Sequence, residues 1–212
     1  MLTIWALRLY IAGISMQVST TLILASQSPR RRVLLDQLGL TFTVQVSPAE
    51  EVIPEGNPPG AVAEAIAMQK AIPVAAQHPT ALTLAADTIV VLDTQILGKP
   101  NSKGHARRML QHLQGTTHDV YTGIALIHPS SNREVTGFEK TEVTFATMTS
   151  DEINAYVASG SPMDKAGGYG IQDRSGPLYI EGIRGDYYNV MGLPLRRLYV
   201  TLRTEFSDLL LI

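Results

Sequence analysis

The chain has 212 residues, 45% of them hydrophobic and 17% charged, with a formal net charge of −2; this fits one sizeable globular core or two small ones and argues against a broad nucleic-acid or anionic-membrane surface. Cysteine is absent, which excludes disulfides, thiol nucleophiles and Cys-ligated zinc. The histidines His78, His105, His112, His118 and His128 form no H-E-x-x-H pair, so a metal here would be a hard cation such as Mg²⁺ on carboxylate and phosphate oxygens.

Residues 1–15 are apolar but broken by Arg8, and too short to span a bilayer. They lack the basic cluster and the small-x-small site of a signal peptide. Residues 1–19 read as a dispensable N-terminal extension and 20–212 as one domain, with a membrane-facing anchor as the alternative for the first segment. Thr21–Ala25 reads as a buried strand. A helix follows from Pro29 to Leu38, with Leu34, Leu35 and Leu38 on its apolar face and Gly39 at its left-handed end. Phe42–Val46 is a second strand, and the loop 54–60 leads to a small-residue helix, Ala61–Ala71, that stops near Pro73. Thr83–Leu92 is a strong strand. A helix covers Asn101–Gln114, capped by Ser102 and closed by Gly115. Strands follow at His118–His128 and Val135–Met148. In the second, Thr141, Val143 and Phe145 alternate with polar neighbours, as in a half-exposed sheet. Thr149 to Glu152 spells a capping box that opens a helix to Ala158. Gly167, Gly168 and Gly170 suggest a flexible loop, Pro177–Ile183 a strand, and Pro194–Phe206 a final helix. Strands alternating with helices, plus hairpins, predict an α/β fold with a mixed sheet.

Three places carry chemistry. Ser26 and Ser28 end the first strand, Pro29 suits a first helical position, and Arg30, Arg31 and Arg32 fill the first turn. Cations are unfavourable at that end of a helix, so an anion is the natural occupant, held by free N–H groups, a serine hydroxyl and guanidinium forks. The plain alternative is a basic surface turn. Asp87 interrupts an apolar strand, where a carboxylate is costly unless paired, hydrogen-bonded or metal-bound. It is a candidate base or metal ligand, or an aspartate reaching solvent at a strand end. Lys99, between Gly98 and Pro100, sits on a rigid turn; Asp93 stands where a P-loop needs glycine, so this is no P-loop. Lys99 is a phosphate contact or a solvated turn lysine. The stretch 161–172 combines close-approach glycines with Asp164, Lys165 and Gln172. Glu50 and Glu51 add candidate metal carboxylates.

Together, LASQSPRR (24–31), AADT (85–88), GKP (98–100), DKAGGYGIQ (164–172) and GDYYNVMGLP (185–194) resemble the Maf family of nucleoside triphosphate pyrophosphatases, from Thr21 onward. The resemblance implies a long twisted mixed sheet flanked by helices, in two lobes around a cleft, similar to inosine triphosphate pyrophosphatases. It implies metal-dependent hydrolysis (Mg²⁺ or Mn²⁺) of a nucleoside triphosphate to monophosphate and pyrophosphate, keeping unwanted nucleotides out of nucleic acid. Asp87 matches the family's proton acceptor. Ser26, Arg30, Arg31, Glu51, Lys70, Lys99 and Gln172 match its nucleotide- and metal-binding positions, with Glu51 and Asp87 toward the metal and Lys165 beside the substrate. A 7-methyl-GTP branch carries tryptophan for the first motif arginine and a serine-aspartate-glutamine strand motif. This chain keeps Arg30 and Arg31 and has Asp87-Thr88, so it resembles the dTTP/UTP branch, whose specificity positions match Arg31, Thr88 and Gln172. Arg32 matches no functional position. The family implies a homodimer, a cytoplasmic location, and no nucleic-acid or membrane partner. The alternatives are a nucleotide-binding regulator of septum formation and a pyrophosphatase for inosine or xanthosine triphosphate.

Overall fold

A computed structural model of the chain describes residues 16–211. Its strands are β1 (Gln17–Val18), β2 (Leu22–Leu24), β3 (Thr43–Val44), β4 (Leu82–Leu92), β5 (Gln95–Leu97), β6 (Thr117–His128), β7 (Arg133–Phe145), β8 (Ile180–Arg184) and β9 (Leu210–Leu211). Its helices are α1 (Pro29–Gln37), α2 (Pro59–Gln77), α3 (Lys103–Leu113), α4 (Ser150–Ala158), α5 (Gly176–Tyr179), α6 (Tyr187–Met191) and α7 (Leu195–Glu205). The main sheet runs β3–β2–β4–β6–β7–β8, with β5 folded back on β4. β2 is parallel to β3 and β4, and every later pair in this sheet is antiparallel. The expected mixed sheet is therefore present.

β4 is an almost unbroken apolar run because both of its faces are covered. On one face, Leu34 and Leu35 of α1 and Leu198 and Leu202 of α7 pack on Leu22, Leu84 and Leu126. On the other, Ala67, Ala71 and Val74 of α2 pack on Ile23, Ala85 and Ala125. A separate cluster at the far end of the sheet joins Val90, Leu110, Val143, Phe145, Tyr156 and Tyr169. A cleft opens between this cluster and the start of α1. α3 is capped by Ser102, whose side chain accepts from the His105 N–H, and α4 by the full Thr149–Glu152 capping box.

One glycine brings a helix to the chemistry. Gly123 pairs with Asp87 in the β4–β6 ladder. A Cβ there would lie 2.3 Å from the backbone carbonyl of Ala63, so α2 rests directly on the strand. That approach seats Lys70, two turns further along α2, beside Asp87.

Four expectations are corrected. α2 does not stop near Pro73 but continues to Gln77. An interior proline costs about 3 kcal/mol, yet Ala71, Val74 and Ala75 are buried against the sheet, and that packing decides. The segment from Pro177 begins as α5, with Pro177 in its first turn, and the strand starts only at Ile180. The glycine loop is not loose: residues 161–168 form two short 3₁₀ turns, and Gly167 and Gly168 are buried at φ 69° and 74°. A Cβ on Gly167 would press on Val90 at 3.1 Å. Finally, the folded body begins before residue 20. β1 pairs with β9, and Met16 is 3% exposed within the core. The rest of the expected extension, residues 1–15, lies outside the described residues. Among the described residues no helix is long and apolar enough to cross a membrane.

Candidate active site

The turn from β2 into α1 forms one wall of the cleft. Ser28 is the extended N-cap residue and Pro29 starts the helix. The Ser28 N–H donates to Ser26 Oγ at 3.2 Å. Arg30 reaches across the cleft, and its Nη1 donates to Asp164 Oδ2 at 2.7 Å. Arg31 turns inward and is buried. Its Nε donates to the Gly192 carbonyl at 2.7 Å, Nη1 to Ser26 Oγ at 3.1 Å and Nη2 to Thr88 Oγ1 at 3.1 Å. Burial pushes the Arg31 guanidinium pKa down, while Asp87 opposes that shift. Arg32 is exposed.

Thr88 extends this network. Its Oγ1 is 2.9 Å from Thr122 Oγ1, and Thr122 donates to the Asn189 carbonyl at 2.8 Å. Asn189 is fully buried and donates to the Val120 carbonyl and to Thr141 Oγ1. Gly192 ends α6 at φ 112°, and a Cβ there would crowd Thr88 Oγ1 at 3.3 Å. A fixed polar floor results, with Arg31 at its centre.

Asp87 stands beside it, 8% exposed. Lys70 Nζ lies 2.5 Å from Asp87 Oδ1 and 3.0 Å from Glu51 Oε1. The ammonium thus bridges the two carboxylates.

The glycine-rich segment forms the opposite wall. Lys165 is buried, and its Nζ donates to the Ser161 carbonyl at 2.5 Å and to Asp164 Oδ1 at 2.8 Å. Burial alone would raise the Asp164 carboxyl pKa, but donation by Lys165 and Arg30 outweighs it and holds the group below its ordinary value. Gln172 Nε2 donates to Asp173 Oδ1 at 3.3 Å. Lys99 is exposed at the rim.

All the sequence-predicted site residues, Ser26, Arg30, Arg31, Glu51, Lys70, Asp87, Thr88, Lys99, Lys165 and Gln172, line one cleft of about 620 Å³. Glu50 is not among its lining residues. Residues given no role by the sequence also shape the site: Thr122, Asn189, Gly192 and Asp173. Asn189 and Gly192 fall in the GDYYNVMGLP stretch, which was the available signal for them.

The donor set bears on a metal. Asp87 and Glu51 already converge on one cationic group, Lys70 Nζ. Among the described residues there is no cluster of three or more His, Cys, Asp or Glu side chains able to hold an ion. Two carboxylates suit an Mg²⁺-type ion whose remaining ligands are phosphate oxygens and water. The residues therefore fit a metal that arrives with a phosphorylated ligand.

The profile of the Maf-like protein family matches residues 21–205. Among curated relatives, the dTTP/UTP pyrophosphatase of Salinibacter ruber is 55% identical over 195 residues, covering 92% of this chain and 96% of that protein. The dTTP/UTP pyrophosphatase of Moorella thermoacetica is 53% identical over 174 residues, covering 82% and 89%. Among solved structures, a HAM1 protein from Coxiella burnetii aligns with a TM-score of 0.50 at 19% identity, over 86% of this chain and 98% of that one, a likeness of fold alone. By its profile match and these relatives, the chain belongs to the Maf-like protein family.

Proposed function

We propose that this protein hydrolyses nucleoside triphosphates, dTTP and UTP foremost, to the monophosphate and pyrophosphate. The observation that carries the reading is that Arg30, Lys70, Lys99 and Lys165, from separate segments, line a single cleft with Asp87. The names of its relatives point the same way. A triphosphate carries about four negative charges, so cations from separate segments must meet. Phosphoryl transfer then asks mainly for positioning and charge neutralisation.

In this reading Asp87 accepts the proton of the attacking water. Lys70 occupies Oδ1, which leaves Oδ2 for that proton. The water oxygen bonds to phosphorus, the α–β anhydride bond breaks, and pyrophosphate leaves. Arg30 and Lys165 now bind Asp164 and would exchange it for phosphate oxygens. Arg31, Thr88 and Gln172 form the base-selecting end. Glu51 would hold an Mg²⁺ or Mn²⁺ ion together with the phosphates, joined by Asp87 in the alternative in which Asp87 serves as a metal ligand. Such an ion neutralises charge on the phosphate oxygens. The cellular purpose in this reading is removal of unwanted nucleotides before polymerisation. A homodimer in the cytoplasm is part of the same family-based proposal; sedimentation velocity and cell fractionation test it.

One assay tests the core of the reading: pyrophosphate release from dTTP, UTP, and inosine and xanthosine triphosphates, with and without Mg²⁺ or Mn²⁺. Metal-dependent release from dTTP and UTP is expected. Faster turnover of the purine nucleotides would move the substrate assignment. No release from any of them would leave only a nucleotide-binding role. Asp87→Asn should lower kcat by about 10²–10⁴-fold, the usual contribution of a general base.

A further inference from the structure

We propose that Asp173 is a positioning residue of this cleft, aiming Lys165 and Gln172 at the substrate. The inference rests on the hydrolase reading above and extends it to a residue outside the cleft lining. Asp173 stands behind the wall, and its side chain is only 14% exposed. Its Oδ2 accepts from Tyr156 Oη at 2.6 Å and from Ser161 Oγ at 2.6 Å. Its Oδ1 accepts from Gln172 Nε2 at 3.3 Å. Lys165 Nζ lies 3.7 Å from Oδ2.

The proton inventory explains how the carboxylate works at a distance. A serine hydroxyl has one proton and two lone pairs. Ser161 spends its proton on Asp173, so its lone pairs face Lys165, whose Nζ lies 3.2 Å away. Tyr156 likewise spends its proton on Asp173 and accepts the Gly170 N–H at 3.2 Å. Burial, with the adjacent carboxylate, raises the Tyr156 hydroxyl pKa far above its ordinary value, so it remains a donor. One carboxylate therefore fixes two hydroxyls, the loop backbone at Gly170, and the two side chains that face the cleft.

The packing has no slack. A Cβ at Gly170 would lie 2.7 Å from Asp173 Oδ1, 2.7 Å from Lys165 Cε and 2.8 Å from Gln172 Nε2. Three side chains close over a residue that must lack one of its own. Tyr156 comes from α4, whose start is locked by the capping box, so the chain of contacts ends on a rigid element.

The test is a double-mutant cycle on the full chain, reading kcat and KM for dTTP hydrolysis with Mg²⁺. Asp173→Asn should lower kcat/KM about tenfold or more, since small misplacements near a reacting centre are costly. In a Lys165→Gln background the same change should cost several-fold less, because the part of its effect that passes through Lys165 is already gone and only the part through Gln172 remains. The ratio of dTTP to dCTP turnover should also fall in Asp173→Asn, through Gln172. Should Asp173→Asn fail to fold, Ser161→Ala takes its place in the cycle with the same expectation. Equal losses in both backgrounds, or no loss, overturn the inference. Absence of hydrolysis by the native chain removes the hydrolase reading and this inference with it, whereas additivity in an active native chain removes this inference alone.

Discussion

Lys70 donates to Asp87 at 2.5 Å, from a helix that only a glycine lets approach the strand. The ammonium also touches Glu51, so one cation offsets two carboxylates that would otherwise repel. Lys70→Met keeps the apolar stem and removes the charge. Asp87 and Glu51 would then face each other without a partner. Breaking a fully enclosed pair costs 3–5 kcal/mol; Glu51 is half exposed, so the expected loss is about 2 kcal/mol. Urea unfolding at pH 7 measures it. In the hydrolase reading kcat/KM for dTTP falls as well, and unchanged turnover would take Lys70 out of the site.

Gly123 offers a sharper version of the same test, because it pairs with Asp87 only through the backbone ladder and does not itself line the cleft. A Cβ there meets the Ala63 backbone at 2.3 Å, and backbone cannot rotate aside. Gly123→Ala should therefore lift α2 from β6 and part Lys70 from Asp87. Overpacking typically costs 1–3 kcal/mol, and contact with a backbone carbonyl puts this case at about 3 kcal/mol. Thermal unfolding should show the loss, and hydrolysis should fall further than the unfolded fraction explains. Gly98→Ala is the control. A Cβ at Gly98 meets nothing within 4 Å, so its stability should stay near that of the native chain.

What could be read from the sequence was decided by how local the physics is. Asp87 is conspicuous because a carboxylate inside an apolar strand violates a rule that holds residue by residue. The capping box at Thr149 and the Ser102 cap depend on three-residue spacings, and both form. The part played by Arg31 is different. Its first-turn position suggests a phosphate fork, yet the fork is spent on Ser26, Thr88 and the Gly192 carbonyl. Gly192 lies 161 residues away, and no window in the sequence joins the two. The same holds for α2 running through Pro73, which long-range packing decides. Asp173 sits next to Gln172 in sequence, but its meaning comes from Tyr156 and Ser161, brought to it by the turns between them.

Arg31→Lys tests whether that spent fork matters. A lysine places one point charge and cannot donate in three fixed directions to Gly192, Ser26 and Thr88 together. Two of the vacated acceptors, Ser26 and the Gly192 carbonyl, are buried and Thr88 is half-buried, and each unmet buried group costs about 1–3 kcal/mol unless water enters. A lower unfolding midpoint is expected. Activity should change in a particular way: discrimination between dTTP and dCTP should weaken more than kcat for dTTP. A uniform fall for all nucleotides would instead make Arg31 a phosphate contact. Thr88→Val, which keeps the shape and removes the hydroxyl, should weaken discrimination in the same direction.

His118, which does not line the cleft, gives the stability of the chain a pH dependence. The ring is 2% exposed, and Nε2 is hydrogen-bonded to Tyr169 Oη at 2.7 Å. Its Nδ1 is buried without a partner among the described residues. Phe145 and Tyr169 both meet the ring edge-on at 5.3 Å. Burial holds its pKa down at about 4, against an ordinary 6.5, and nearby Asp119 only partly offsets that. Between those values the unfolded chain takes up a proton that the folded chain refuses. The stability associated with neutral His118 is therefore complete above about pH 6.5 and is lost as pH falls toward 4. With 1.36 kcal/mol per unit, the loss from pH 7 to pH 5 is about 2 kcal/mol. Urea midpoints across that range should fall accordingly for the native chain. His118→Gln should be less stable at pH 7, having lost the ring packing, but its midpoint should change much less between pH 7 and 5. An equal slope in both proteins would assign the pH dependence to other groups.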